Sequence, residues 1–204
     1  MDSAEKNIRV VIAEDQEMML GALTALLEIE GGIEVVAQVR NGKEALAAIR
    51  QFQPDVFITD IEMPEMTGLD AASALKGSST RIIVLTTFAR PGYLRRALDA
   101  GVKGYLLKAR PARELADAVK RVHRGMRVID PELATEAWGE SDPLTDRERM
   151  ILGLAAEGLS AGDIADKLHL SAGTVRNYLS EAISKLGANN RIDAARIARD
   201  KGWL

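Results

Sequence analysis

The chain has 204 residues, 47% of them apolar, 28% charged and only 4% aromatic, so it can fill a core with aliphatics and alanine and is not a disordered segment. It has no cysteine, which excludes disulfides, thiolate zinc sites and cysteine nucleophiles, and its two histidines, His123 and His169, stand far apart. The net charge of −3 is uneven: from Ser171 to Leu204 six Lys/Arg face three Asp/Glu, which gives this tail +3 and the other 170 residues −6, a hint of nucleic-acid binding at the basic end.

The opening Met1 to Asn7 is polar and does not read as a signal peptide, and no stretch approaches the roughly 18 apolar residues of a membrane span. A cytoplasmic protein with no membrane insertion is expected. Apolar runs at Ile8–Ala13, Ile33–Val39, Val56–Thr59, Ile82–Thr86 and Gly104–Leu107 predict strands covered on both faces. Between them, i, i+3, i+4 spacing predicts helices over Met18–Glu28, Lys43–Phe52, Leu69–Lys76, Tyr93–Ala100 and Ala112–Arg124. Five strands alternating with five helices predict a five-stranded, parallel, doubly wound α/β domain of strand order 2-1-3-4-5 over residues 1–125. Residues 126–142, with Pro131 and Gly139, read as a linker with a short helix around Glu132–Trp138. Residues 143–204 read as an all-α domain of four helices, with Thr145, Ser160 and Ser171 as caps and Gly187 as a stop.

Three acids fall where strands end: Glu14 and Asp15 after the first, Asp60 after the third. In the predicted order these strands are neighbours, and their C-terminal ends line the crevice where such sheets bind ligands. Any one of these acids alone is compatible with a helix cap. Together they would repel one another unless a hard cation such as Mg²⁺ sat among them. A strand-end aspartate beside Mg²⁺ can take up a phosphoryl group, and the hydroxyl of Thr86 and the ammonium of Lys108, ending strands four and five, can bind its oxygens. A Mg²⁺-dependent phosphohydrolase built on the same carboxylates is the rival reading from the enzyme class.

The pattern Glu14-Asp15, Asp60-Ile61-Glu62-Met63-Pro64 with Gly68, Thr86 and Gly104-Tyr105-Leu106-Leu107-Lys108 resembles a receiver domain. The resemblance implies that Asp60 is the phosphoacceptor, and that Asp15, Asp60 and the backbone carbonyl of Glu62 hold Mg²⁺, with Glu14 assisting through water. It implies that Lys108 pairs with the phosphate and that Thr86 and Tyr105 form a switch pair. Catalysis would be confined to Mg²⁺-dependent self-phosphorylation and slow self-dephosphorylation. One departure is that Ala109, followed by Arg110 and Pro111, stands after Lys108, where the family often has Asp.

In the tail, Ile164-Ala165-Asp166-Lys167-Leu168, then Ser171 and Thr174-Val175-Arg176, places two short helices around a tight turn. A plain helical bundle with a solvated polar face accounts for that spacing equally well. Leu144-Thr145-Asp146-Arg147-Glu148, Gly158-Leu159-Ser160, Thr174-Val175-Arg176-Asn177-Tyr178, Lys185-Leu186-Gly187 and Asn190-Arg191 resemble the LuxR-type helix-turn-helix. The whole chain is thus similar to a NarL/LuxR-type two-component response regulator. That resemblance implies a recognition helix over about Ala172–Leu186 that enters the major groove of double-stranded DNA. Arg176, Asn177 and Ser180 would reach bases, and Thr174 and Lys185 phosphates. A sensor histidine kinase would be the phosphodonor partner. The phosphorylated chain would form a homodimer, through Leu23, Leu27, Leu115 and Val119 in the first unit and Ala195 and Ala198 in the second.

Overall fold

A computed structural model describes residues 6–87, 90–137 and 142–204 and groups them in two units: the first runs up to residue 137, and the second holds 142–204 together with 90–93. Met1 to Glu5, Trp138 and Gly139, which belong to segments read above, lie outside the described residues.

The first unit, with the first residues of α4 grouped in the second, alternates strand and helix: β1 (Ile8–Ala13), α1 (Glu17–Ile29), β2 (Ile33–Val39), α2 (Gly42–Phe52), β3 (Val56–Asp60), α3 (Gly68–Ala74), β4 (Arg81–Thr86), α4 (Pro91–Asp99), β5 (Gly104–Leu107), α5 (Ala112–His123), β6 (Val128–Ile129) and α6 (Pro131–Ala137). All pairings are parallel, in the order β2-β1-β3-β4-β5-β6. The doubly wound sheet expected from the sequence is therefore present, with a sixth strand added at one edge. β6 lies in the stretch read as linker: two residues are too short for a periodicity to show, and the pairing partner, Gly104–Tyr105, lies far upstream.

Strands β1 and β3 are buried almost throughout, as parallel strands covered by helices on both faces must be. Val10, Ile12, Ile58 and Ile83 pack with Leu27 of α1 and Leu115, Val119 and Val122 of α5. Each such aliphatic, moved out of water, contributes roughly 1.5–3 kcal/mol. Leu27, Leu115 and Val119, expected at a dimer surface, are thus part of this core, 1%, 7% and 0% exposed, and Leu23 packs against it half-buried. The resemblance pointed to these helices, but the i, i+4 spacing of these residues is the signature of a helix's inner face. The outward face of α1 instead carries Met18, 87% exposed, Leu26 and Ile29.

The second unit contains α7 (Asp146–Ala156), α8 (Ala161–Leu168), α9 (Ala172–Lys185) and α10 (Arg191–Asp200). The expected caps are formed. Thr145 with Glu148 and Ser160 with Asp163 make reciprocal capping boxes, and the Ser171 hydroxyl accepts the Thr174 N–H. His169, with φ 55, provides the tight turn between α8 and α9. Ile151, Leu152, Ile164, Val175 and Ala182 are completely or almost completely buried at the centre. Ala195 and Ala198, the other expected dimer residues, lie in this core, 4% and 0% exposed. The small side chains of α10 let it pack closely within its own unit, and its apolar residue on the outside is Ile192.

Candidate functional site

At the C-terminal edge of the sheet, β1 delivers Glu14 and Asp15, β3 delivers Asp60, β4 delivers Thr86, and the turn after β5 delivers Lys108. Parallel pairing places these strand ends at one edge although the residues come from four segments. The Lys108 N–H donates to the Thr86 carbonyl at 2.8 Å, which carries the β4–β5 ladder up to the lysine. On the other side the Glu14 N–H donates to the Val39 carbonyl at 3.0 Å.

One carboxylate oxygen from each of Glu14, Asp15 and Asp60 lies within 4.8 Å of the others. Lys108 Nζ stands 2.7 Å from Glu14 Oε2 and 3.0 Å from Asp60 Oδ2. Asp60 Oδ1 accepts the Ile61 N–H at 2.7 Å. Asp15 is exposed at the mouth, while Glu14 and Lys108 are almost wholly enclosed. Burial pushes the carboxyls of both Glu14 and Asp60 above their ordinary values, although Lys108 opposes it. Burial alone would lower the Lys108 ammonium, but the two carboxylates outweigh it and its pKa is raised. The pocket therefore holds more negative charge than one ammonium settles. A set made only of carboxylate oxygens at this spacing, open to water on the Asp15 side, fits a hard divalent cation.

The loop that follows Asp60 is held close. The Gly68 N–H donates to the Ile61 carbonyl at 2.9 Å, and a Cβ on Gly68 would fall 1.8 Å from the Asp60 carbonyl oxygen. Only glycine allows this approach. Glu62 is exposed within that loop. Thr86 is 4% exposed and Tyr105 1% exposed, so both side chains of the expected switch pair lie inside the unit.

In the second unit α9 presents Arg176, Asn177 and Ser180 to solvent along one face, with Thr174 half-buried at its start. The Thr174 and Ser171 hydroxyls are 2.9 Å apart. Lys185 does not share that freedom. Its Nζ stands 2.8 Å from both carboxylate oxygens of Glu148, a side chain 2% exposed. The ammonium from which a phosphate contact was expected is here the countercharge of a buried acid. Glu148 was not singled out in the sequence, because its partner is 37 residues away and no local spacing links them.

Two family profiles match the chain: the response regulator receiver domain over residues 10–120, and the bacterial regulatory proteins of the luxR family over residues 142–198. The chain is similar to the transcriptional regulatory protein DesR of Bacillus subtilis (strain 168). That protein is 50% identical over 197 residues, covering 97% of this chain and 99% of DesR. The uncharacterized transcriptional regulatory protein YvfU of the same organism is 53% identical over 199 residues, covering 97% and 100%. Among solved structures, the response regulator ChrA of a heme-sensing two-component system is 33% identical with a TM-score of 0.58, covering 97% and 99%. The response regulator RcsB, in complex with DNA, is 26% identical with a TM-score of 0.65, covering 96% and 99%.

Proposed function

The chain belongs to the response regulators that join a receiver domain to a LuxR-type DNA-binding domain, the transcriptional regulatory proteins of two-component systems, and on that premise we propose that Asp60 is its phosphoacceptor. The observation that carries this reading is the meeting of Glu14, Asp15 and Asp60 with Lys108 at one edge of the sheet. The module limits that go with it are 1–125 for the receiver, 126–142 for a connecting segment and 143–204 for the DNA-binding domain.

An Asp60 carboxylate oxygen attacks the phosphorus of a phosphohistidine on the partner kinase. The new O–P bond forms as the N–P bond breaks, and the imidazole leaves with the electron pair. Asp15, Asp60 and the Glu62 carbonyl would hold Mg²⁺, with Glu14 through water, and the ion would supply charge neutralisation at the phosphoryl oxygens. Lys108 already lies against Asp60, so its ammonium follows the charge on to the phosphoryl group without crossing the pocket. The Thr86 hydroxyl donates to another phosphoryl oxygen, and Tyr105 occupies the space on the inner side. Slow hydrolysis of the acyl phosphate restores Asp60. In the cell the chain then works in the cytoplasm; none of its described helices is long and apolar enough to cross a membrane.

The phosphorylated receiver pairs with a second copy. RcsB is seen as dimers on DNA, and the outward Met18, Leu26 and Ile29 of α1 supply apolar area for such a contact in this chain. Two DNA-binding domains then read two half-sites, Arg176, Asn177 and Ser180 facing bases and Thr174 the backbone.

The test is labelling of the full chain with radioactive acetyl phosphate and Mg²⁺. The wild type takes up label and Asp60→Asn takes up none; an Asn variant labelled to the wild-type level overturns the assignment. Whether label increases affinity for DNA selected from a random pool checks the regulatory half.

A further inference from the structure

The turn that carries Lys108 continues into Arg110, one of the residues that set this sequence apart after the lysine. Arg110 spans to Asp130 with both arms of its fork: Nε lies 2.6 Å from Oδ2 and an η nitrogen 2.7 Å from Oδ1. Asp130 is 3% exposed. The Arg110 guanidinium, by its hydrogen bonds above all, holds the Asp130 carboxyl below the usual carboxylate range.

Asp130 is also where α6 begins. Its carboxylate accepts the Glu132 N–H at 3.0 Å, and its carbonyl accepts the Ala134 N–H at 3.0 Å, so it caps the helix with side chain and main chain together. In the other direction its own N–H donates to the Tyr105 carbonyl at 2.9 Å. One buried residue thus touches β5 at Tyr105, the Lys108 turn through Arg110, and the first turn of α6.

We propose that the Arg110–Asp130 clamp carries the state of the Asp60 pocket to α6, the last element of the first unit. The inference rests on the phosphorylation of Asp60 argued above. When Lys108 turns from Glu14 and Asp60 towards a phosphoryl group, the short turn it shares with Arg110 moves with it. A bidentate fork onto a buried carboxylate has little slack, so the cap of α6 follows. Arg110 and Asp130 are positioning residues; neither touches the reacting atoms.

The test is hydrogen exchange of the amides of residues 132–137 in the full chain, with and without acetyl phosphate and Mg²⁺, alongside a measurement of label at Asp60. In the wild type, exchange in this stretch changes by about fivefold or more on labelling. Asp130→Asn keeps the shape and the capping oxygen but loses the charge; it labels like the wild type and loses the change. Arg110→Gln, on a side chain one-third exposed, poses the same question should Asp130→Asn fail to fold. A labelled variant that keeps the full change overturns the clamp, as does a labelled wild type whose α6 amides do not respond. A wild type that takes no label overturns the phosphorylation reading instead.

Discussion

Lys108 Nζ stands 3.0 Å from Asp60 Oδ2, on a side chain only 5% exposed. Replacing it with Ala leaves Glu14 and Asp60 enclosed without a countercharge, while burial already pushes both carboxyls up. Lys108→Ala is expected to slow uptake of label by about a hundredfold. It also lowers the thermal midpoint by several degrees, since a lost buried pair costs about 3 kcal/mol. Label uptake against time and a melting curve check the two parts separately.

The carboxylate set makes a metal prediction of its own. Chelation of divalent cations with EDTA should stop labelling and leave the far-ultraviolet circular dichroism unchanged, because the core of the first unit is aliphatic and independent of the pocket. Asp15→Asn removes the exposed member of the three and should raise the Mg²⁺ concentration at half-maximal labelling by about tenfold. An unchanged Mg²⁺ requirement would remove Asp15 from the ligand set.

Gly68→Ala should destabilise the first unit by about 3 kcal/mol or displace the loop after Asp60. The added methyl carbon would fall 1.8 Å from the Asp60 carbonyl oxygen, and main-chain atoms there cannot swing aside as the end of a flexible side chain could. Urea midpoints of the two proteins measure it.

In the second unit the pair Glu148–Lys185 sets an acid limit. Burial pushes the Glu148 carboxyl up, but hydrogen bonds from Lys185 and Thr145 outweigh it and hold it below the ordinary glutamate value. A depressed carboxyl contributes stability above its unfolded value and loses it as pH falls through the folded one. Urea midpoints should therefore drop as the pH falls below about 4.5. Lys185→Met, which strands a carboxylate 2% exposed, should cost about 2 kcal/mol at pH 7, a figure reduced for the lysine's partial exposure. Its pH profile should be the flatter of the two.

Arg176→Ala should weaken binding to selected DNA by about 1–3 kcal/mol and relax the preference at a single base position, whereas Thr174→Ala should weaken all sequences alike. Binding to a panel of single-base variants separates the two outcomes.

Most of this molecule is visible in its sequence, for reasons that differ by element. The strands are apolar runs because both faces of a parallel sheet are covered, and the helices of the second unit begin at side chains that cap them, as Thr145, Ser160 and Ser171 do. The pocket is legible because topology fixes which strand ends meet, which brings Lys108 to Asp60. What escapes is contact across long separations on ordinary residues. Nothing near Lys185 announces Glu148, and nothing near Arg110 announces Asp130. The apolar positions of α1, α5 and α10 mark inner faces, so reading Leu27, Val119 and Ala198 as an outer surface mistakes the core for a contact.

The tie between Lys185 and Glu148 fixes the far end of α9, and the outward residues Arg176, Asn177 and Ser180 all fall in the stretch from Ala172 to Glu181. At 1.5 Å per residue that stretch is about 15 Å long. Laid along a duplex that rises 3.4 Å per base pair, it spans about four base pairs. As the proposed recognition helix, α9 would therefore spell only short words on DNA, and a longer operator would have to be composed from two of them.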